Sequence, residues 1–310
     1  MNRSNLLALL FIPLLIAGCG SPRVAGRPDA VMERNAAAAR SAYAAGAMEN
    51  ADVFYHKALD RARLADQSAD IARLAYNLAV CRAQARKYEE ALALLDEAEF
   101  ESDGCFPEAV LLRAEIIRHL GRADEAAAVV QSGLEMLNDQ KEKGGLMRAQ
   151  MRLFLADLAC ARGAGRAALQ QLDQVDARAL KSSGAVIQAK AALTRGRALQ
   201  LEQRFNEAAA AFDRSAAFYQ QARQYADMAA ALQCSGRACA AADKRGEALN
   251  RHYRAARSMF LSGDRAGART SLERAEELAG AADDRKMLKA IARLEEEMRG
   301  EADREISPLK

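Results

Sequence analysis

The sequence predicts an all-α chain built from stacked helix pairs, a solenoid of about six to seven pairs, and three observations carry that prediction. A small residue stands 12 positions ahead of an alanine six times: Ala39 and Ala51, Ala79 and Ala91, Ala114 and Ala126, Ala156 and Ala168, Gly196 and Ala208, Gly236 and Ala248. The motif recurs about every 40 residues, and self-similarity at such a period marks repeated supersecondary units that bury their faces on one another. Composition points the same way, with no Trp, 5 Pro and 5% aromatic against 51% hydrophobic residues, an alanine-rich mixture that favours helix. There is no sustained alternation of β-branched and polar residues between turn pairs, as a hairpin would require.

Taken from the N-terminus, the first segment is not part of that array. Met1 to Asn5 carries one positive charge at Arg3, and Leu6 to Gly18 is an apolar run of 13 residues. A bilayer-spanning helix needs about 20, so the run reads as a signal peptide over residues 1–18. Leu15-Ile16-Ala17-Gly18-Cys19 resembles the lipobox of bacterial lipoproteins. The resemblance implies cleavage before Cys19, a diacylglycerol on its sulfur and several acyl chains in all, enough for stable anchoring. This covalent lipid on Cys19 is the one non-protein group expected, and no other cofactor is. Gly20 and Ser21 follow where an inner-membrane lipoprotein would often carry aspartate, so the resemblance points to the periplasmic face of the outer membrane. Residues 19–28 form the lipidated start and a flexible linker. Its nine residues Gly20 to Pro28 could reach about 30 Å when extended.

Residues 29–300 form the helical array, and residues 301–310 are expected as a flexible tail. In the second helix of each pair, a residue that plugs the turn precedes the key alanine by three, and an aromatic or aliphatic residue follows it by four. Thus Met48, Ala51, Tyr55 and Ala58 match Tyr88, Ala91, Leu95 and Ala98, and also Phe205, Ala208, Phe212 and Ser215; Ala123, Ala126, Val130 and Gly133 form the third unit. Helices that pack at roughly 8 to 10 Å need small side chains where their axes cross and bulkier ones beside the crossing. This pattern resembles the tetratricopeptide repeat over about Asp29 to Ala279, which implies a right-handed solenoid whose first helices line a concave groove.

Glu90, Glu125, Glu207 and Glu247 each precede a key alanine in the first turn of a second helix, where a carboxylate meets the positive end of the helix dipole. Gly46, Gly121, Gly163 and Gly263 fall in inter-helix turns, where a positive φ is commonly needed. Two features depart from the family. The bulky aromatic near the start of its first helix is missing, and the key alanines are spaced 40, 35, 42, 40 and 40 apart where the family uses about 34. Longer helices, or loops such as Lys141 to Gly145 and Lys181 to Gly184, are expected to absorb the difference. Near the end Ala256 and Ala268 again differ by 12. Glu247 to Leu261 is therefore expected to pack on both sides, with Arg265 to Leu278 as its next partner. Asp283 to Met298 would be a polar cap, which an exposed solenoid end needs.

Chemistry finds little support. His56, His119 and His252 have no histidine or cysteine at ligand spacing, so no metal site is expected. Gly163, Gly165 and Ala168 nominally fit a dinucleotide fingerprint, but helix is predicted over Met151 to Arg162, where that fingerprint requires a strand. Ser307 and Lys310 stand at the spacing of a nucleophile and its base, but with Pro308 between them in the tail nothing would hold the one against the other, and the match reads as chance. Paired carboxylates at Asp283 and Asp284 and at Glu295 to Glu297 read as solvated charge. Cys81, Cys160 and Cys239 are expected as buried thiols. Cys234 and Cys239 point about 140° apart on a helix and cannot bridge, and Cys105 beside Asp103-Gly104 is the most reactive candidate. The net charge of +3 with 28% charged residues and the lack of a Lys or Arg run argue against nucleic acid.

The tetratricopeptide resemblance implies a groove that takes peptide segments or helices of partner proteins. Carried over position by position, the groove residues are Arg40, Tyr43, Arg73, Tyr76, Glu115, Arg118, Asp157, Lys190, Arg197, Gln233 and Arg237. Arginine and tyrosine suit such a surface because they supply forked donors and flat contact area. The expected function is a lipid-anchored periplasmic scaffold or adaptor, not an enzyme. It would hold other cell-envelope proteins of a secretion, pilus, barrel-assembly or peptidoglycan machinery and touch the membrane only through its lipid. The alternatives are an enzyme accessory with a redox or hydrolytic site near Cys105 and a structural spacer that self-associates.

Overall fold

The computed structural model describes residues 29–102, 106–138 and 144–306. The signal peptide, Cys19, the linker, Cys105 and the Ser307 to Lys310 pair lie outside these residues. The described residues form fifteen helices and no strand, so the chain is an all-α solenoid of helix pairs. It divides into two compact units, residues 1–140 and 141–310.

The first unit holds α1 (Ala30–Ala44), α2 (Met48–Leu64), α3 (Ser68–Gln84), α4 (Tyr88–Glu101), α5 (Pro107–His119) and α6 (Ala123–Asn138). Its pairs are α1 with α2, α3 with α4, and α5 with α6. The second unit holds α7 (Gly145–Ala161), α8 (Gly165–Asp173), α9 (Ala177–Ser182), α10 (Ala185–Leu201), α11 (Phe205–Gln221), α12 (Tyr225–Ala241), α13 (Arg245–Leu261), α14 (Arg265–Ala281) and α15 (Arg285–Ile306). Here α7 pairs with α8, α10 with α11, α12 with α13, and α14 with α15, while α13 also packs on α14. The double-sided packing expected of α13 is thus present.

All six key alanines are fully buried, and so are Ala39, Ala79, Ala114 and Ala156 in the first helices. Gly196 and Gly236 hold the same place on α10 and α12 and are also buried. The core therefore runs along the crossings, where side-chain-poor positions let each pair close up.

The turns have a common construction. Arg204 N–H donates to Leu199 O at 2.9 Å, Gln224 to Tyr219 at 2.9 Å, Lys244 to Cys239 at 2.9 Å and Asp264 to Met259 at 2.9 Å. Each is the six-to-one bond of a Schellman turn, which puts the preceding residue in the left-handed region. The expected glycines occupy it at φ 76° (Gly46), 81° (Gly121), 74° (Gly163) and 85° (Gly263). So do Asp66, Arg86, Gln203, Arg223, Asp243 and Asp283, at φ between 48° and 60°.

This construction settles how the repeat exceeds the family spacing. Helices α2, α3, α7 and α10 to α14 are each 17 residues long, and wherever the array is regular they are joined by three-residue turns. Longer helices absorb the difference there. Irregularity is local: α8 stops after nine residues at Asp173, and the short α9 follows, its first turn capped by Asp176 Oδ1 accepting from Arg178 N–H at 2.8 Å. The sequence reading had not separated α9 from its neighbours. At the end, Ile291 and Leu294 of α15 are buried, and α15 continues to Ile306, into the segment expected as tail.

The first-turn carboxylates also do more than meet a dipole. Glu125 pairs with Arg122 at 2.7 Å, Glu207 with Arg204 at 2.6 Å and Glu247 with Lys244 at 3.8 Å, each with the residue three before it in the turn. Glu90 instead reaches Arg82 on α3.

Candidate functional site

The candidate residues lie on the first helices, and the repeat length explains what they touch. A residue 38 to 41 positions further on occupies nearly the same place on the next first helix, so side chains at that separation become neighbours across the stack. In the first unit Gln84 Nε2 on α3 donates to Tyr43 Oη on α1 at 2.6 Å, and Arg73 on α3 lies 3.9 Å from Glu33 on α1 while bonding Asp70 at 2.6 Å. In the second unit Arg197 Nη1 on α10 donates to Asp157 Oδ1 on α7 at 3.1 Å, and Gln233 Nε2 on α12 donates to Ser271 Oγ on α14 at 2.9 Å. Five of the candidates, Tyr43, Arg73, Asp157, Arg197 and Gln233, therefore tie one repeat to the next.

The remaining candidates are placed differently. Glu115 and Arg118 form an ion pair at 2.5 Å within α5. Arg237 is exposed and directs Nη2 to Cys234 Sγ at 3.1 Å. Lys190 is half-buried on α10, and its charge partly offsets the burial that raises the Asp227 carboxyl above its ordinary value. Arg40 is half-buried on α1. Tyr76 does not belong to a surface at all: it is 5% exposed, and its ring meets Phe106 edge-on at 5.2 Å between centroids. Its hydroxyl is pushed far above the usual range by burial, with the Glu108 charge adding to the effect.

Several polar residues of this face escaped the sequence reading. Glu33, Gln84 and Ser271 are the partners of the candidates, and the 40-residue spacing applied to polar positions in pairs would have found them. Tyr55 Oη and Asn77 Nδ2 are buried without a hydrogen-bond partner among the described residues, and burial pushes the Tyr55 hydroxyl up to about 12.

The opposite layer, made of second helices, is tied by other pairs. Arg63 on α2 binds both oxygens of Glu97 on α4 at 2.7 and 2.6 Å. Arg251 on α13 donates to Asp213 on α11 at 2.7 Å, and Ser235 Oγ donates to the same carboxylate at 2.7 Å. One repeat earlier, Ala211 stands where Arg251 would, and a cavity of about 290 Å³ opens among α8, α10 and α11. Its arginines are engaged at two points, Arg195 with Asp173 at 2.8 Å and Arg204 with Glu207 at 2.6 Å. That chemistry holds helices together; no nucleophile stands there beside a base.

Among the described residues no group of three or more His, Cys, Asp or Glu side chains could hold a metal ion, and no helix is long and apolar enough to cross a membrane. Cys81, Cys160, Cys234 and Cys239 are free thiols, with Cys81 and Cys239 buried and the other two half-buried. Burial pushes the Cys81 thiol up to about 12 and that of Cys160 to about 11.

No family model matches the sequence, and no curated protein matches it. Solved structures do. The chain is similar to BtubC (BKLC) from P. vanneervenii, with 18% identity, 82% of this chain and 93% of that one covered, and a TM-score of 0.52. It is also similar to NprR in complex with its cognate peptide NprX, with 13% identity, 92% and 85% covered, and a TM-score of 0.50. A tetratricopeptide repeat protein from Parabacteroides merdae matches at 16% identity over 84% of this chain and 99% of that one, with a TM-score of 0.46. At such identities the likeness is one of fold. Together with the buried small residues at each crossing, the fold shared with BtubC and NprR makes this chain a tetratricopeptide-like α-solenoid.

Proposed function

We propose that this protein is a lipid-anchored scaffold of the bacterial cell envelope that captures a peptide segment or helix of another protein on its first-helix face and catalyses no reaction itself. The observation that carries the reading is the spacing of that face. In the second unit Arg197 is tied to Asp157 yet keeps about half of its side chain exposed, and Arg237, 40 residues on, is exposed. Guanidinium groups at repeat spacing, Arg197 held by Asp157 of the neighbouring helix and Arg237 by Cys234 of its own, offer forked donors with less ordering entropy left to lose. NprR, similar in fold, is described in complex with a peptide, which supports a peptide-sized ligand here.

The anchoring half of the proposal rests on Leu15 to Cys19. Tethering through two or more acyl chains would hold the solenoid at the membrane with no spanning helix. Gly20 and Ser21 favour the periplasmic face of the outer membrane.

Two measurements test the halves separately. Metabolic labelling with a radioactive fatty acid should mark the wild-type chain and leave Cys19→Ala unlabelled; an unlabelled wild type removes the anchor. A photo-crosslinking residue at position 237 should trap one main protein in cells. Arg197→Glu with Arg237→Glu should reduce the capture of that protein without unfolding the chain, as circular dichroism would show. Unchanged capture removes the first-helix face as the binding site.

A further inference from the structure

The net charge of the whole chain hides a segregation between the two units. The described residues of the first unit include 18 acidic and 12 basic side chains, whereas those of the second include 27 basic and 21 acidic. The inversion is concentrated on the second helices. Positions two before and two, five, six, nine and thirteen after the key alanine share one outward stripe of a helix. On α2, α4 and α6 that stripe carries seven carboxylates against the single Lys57, while on α8, α11 and α13 it carries four arginines against Asp173 and Asp213.

Internal ion pairs take charge from both stripes, Arg63 pairing with Asp60 and Glu97 and Arg113 with Asp96 on the acidic one. Asp173 and Asp213 are neutralised by Arg195 and Arg251 at 2.8 and 2.7 Å. Arg166, Arg214 and Arg254 are exposed and make no ion pair among the described residues. On the acidic stripe, Glu49, Glu89 and Glu135 are likewise exposed and make none among the described residues. Both stripes also expose large apolar side chains, Val53 (48%), Leu64 (75%) and Phe100 (81%) in the first unit and Leu261 (76%) in the second. Charge of one sign beside bare apolar area on one stripe, and of the other sign beside bare apolar area on its counterpart, is the complementarity of a protein interface.

We propose that the occupant of each stripe is a second copy of this chain: the acidic second-helix face of one copy docks on the basic second-helix face of another. Such a contact joins two different surfaces, so one copy keeps its basic stripe unused and the other its acidic stripe, and association continues into a ring or an open row. The contact uses the layer opposite the first-helix face, so a row of copies would leave that face available.

The test uses full chains carrying two different affinity tags, expressed together and extracted in a non-ionic detergent. Wild-type copies should co-purify, less so as salt rises. One variant, Arg166→Glu with Arg214→Glu and Arg254→Glu, makes the basic stripe acidic; the other, Glu49→Lys with Glu89→Lys and Glu135→Lys, turns the unpaired carboxylates of the acidic stripe into cations. Either variant expressed in both tags should recover at least about tenfold less of its second copy, because like charges now oppose. The two variants expressed together should restore recovery to within about twofold of wild type, since an acidic stripe again meets a basic one. The six positions are exposed, and unchanged melting temperatures establish that the variants fold. Wild-type copies that do not co-purify, reversals without effect, or a mixed pair that stays apart each overturn the proposal, as would wild-type stripes occupied by a different protein instead.

Discussion

The Phe212 ring occupies the space that a side chain on Gly196 would need: a Cβ built there falls 2.6 Å from both Cδ1 and Cε1 of the ring. The next repeat has the same relationship between Gly236 and His252, with a Cβ 2.8 Å from Nε2. In the alanine-bearing pairs, the residue 16 positions after Ala79, Ala114 and Ala156 is aliphatic: Leu95, Val130 and Leu172. Ala39, followed at that distance by Tyr55, is the exception. Glycine and ring therefore go together at two of the crossings.

Gly196→Ala should destabilise the second unit. Overpacking a closed core costs about 1 to 3 kcal/mol, and the gain in helix propensity returns at most about 1 kcal/mol. Adding Phe212→Leu should relieve the clash, so that the double variant is more stable than the sum of the single changes predicts. Urea unfolding followed by circular dichroism measures the coupling, and strictly additive effects would show that the two residues do not compete for space.

His252 gives the chain a stability that depends on acidity. Its side chain is 2% exposed and neither ring nitrogen has a hydrogen-bond partner among the described residues. Burial lowers its pKa to about 4, with Arg274 and Arg237 adding to the effect. The folded chain thus binds a proton less readily than the unfolded one. The neutral ring's contribution is complete above about pH 6.5 and is lost as pH falls toward 4, by about 3 kcal/mol. His252→Leu should flatten the fall in melting temperature over that interval; an equally steep profile in the variant would assign it to other groups.

Gln203 and Arg223 hold φ values of 59° and 58° in turns where other repeats use glycine. Both are exposed. A side chain in the left-handed region costs about 1 kcal/mol, and glycine pays part of that back in unfolded-chain entropy. Gln203→Gly and Arg223→Gly should each raise stability by a few tenths to about 1 kcal/mol, read as a higher melting temperature. A drop at either position would mean that the side chain contributes more than its backbone costs.

The Cys81 thiol, buried and raised to about 12, should resist alkylation at pH 8 in the native protein and react once urea opens the first unit. Peptide mapping by mass spectrometry after a short pulse of iodoacetamide resolves it from the other cysteines. Rapid native labelling of Cys81 would contradict its place in the core.

Much of the fold was legible because the crossings tolerate so few residue types. Ala51, Ala91 and Ala208 could be read directly, since nothing larger fits at such close approach. The turns were half legible: Gly46 and Gly263 announce a positive φ, whereas Asp66, Arg86 and Gln203 adopt it under the pull of the six-to-one bond and carry no local signal. Tyr76 looked like a surface residue because its position in the repeat is a surface position, yet Phe106, before α5, covers it. The break after Asp173 was invisible because Asp173 and Gln174 are ordinary helix residues. The split of charge between the units was legible in principle, but a single net charge averaged it away.

The regular turns, placed every 20 residues from Gln203 to Asp283, impose a parity on the array. Removing 40 residues between two such turns exchanges like for like, and every later rod stays in its own layer. Removing 20 would send each downstream rod to the other side, turning the inner surface outward and presenting alanines where solvent now meets arginine. A gene that grows or shrinks by whole pairs keeps its architecture, and one that slips by half a pair loses every surface beyond the slip.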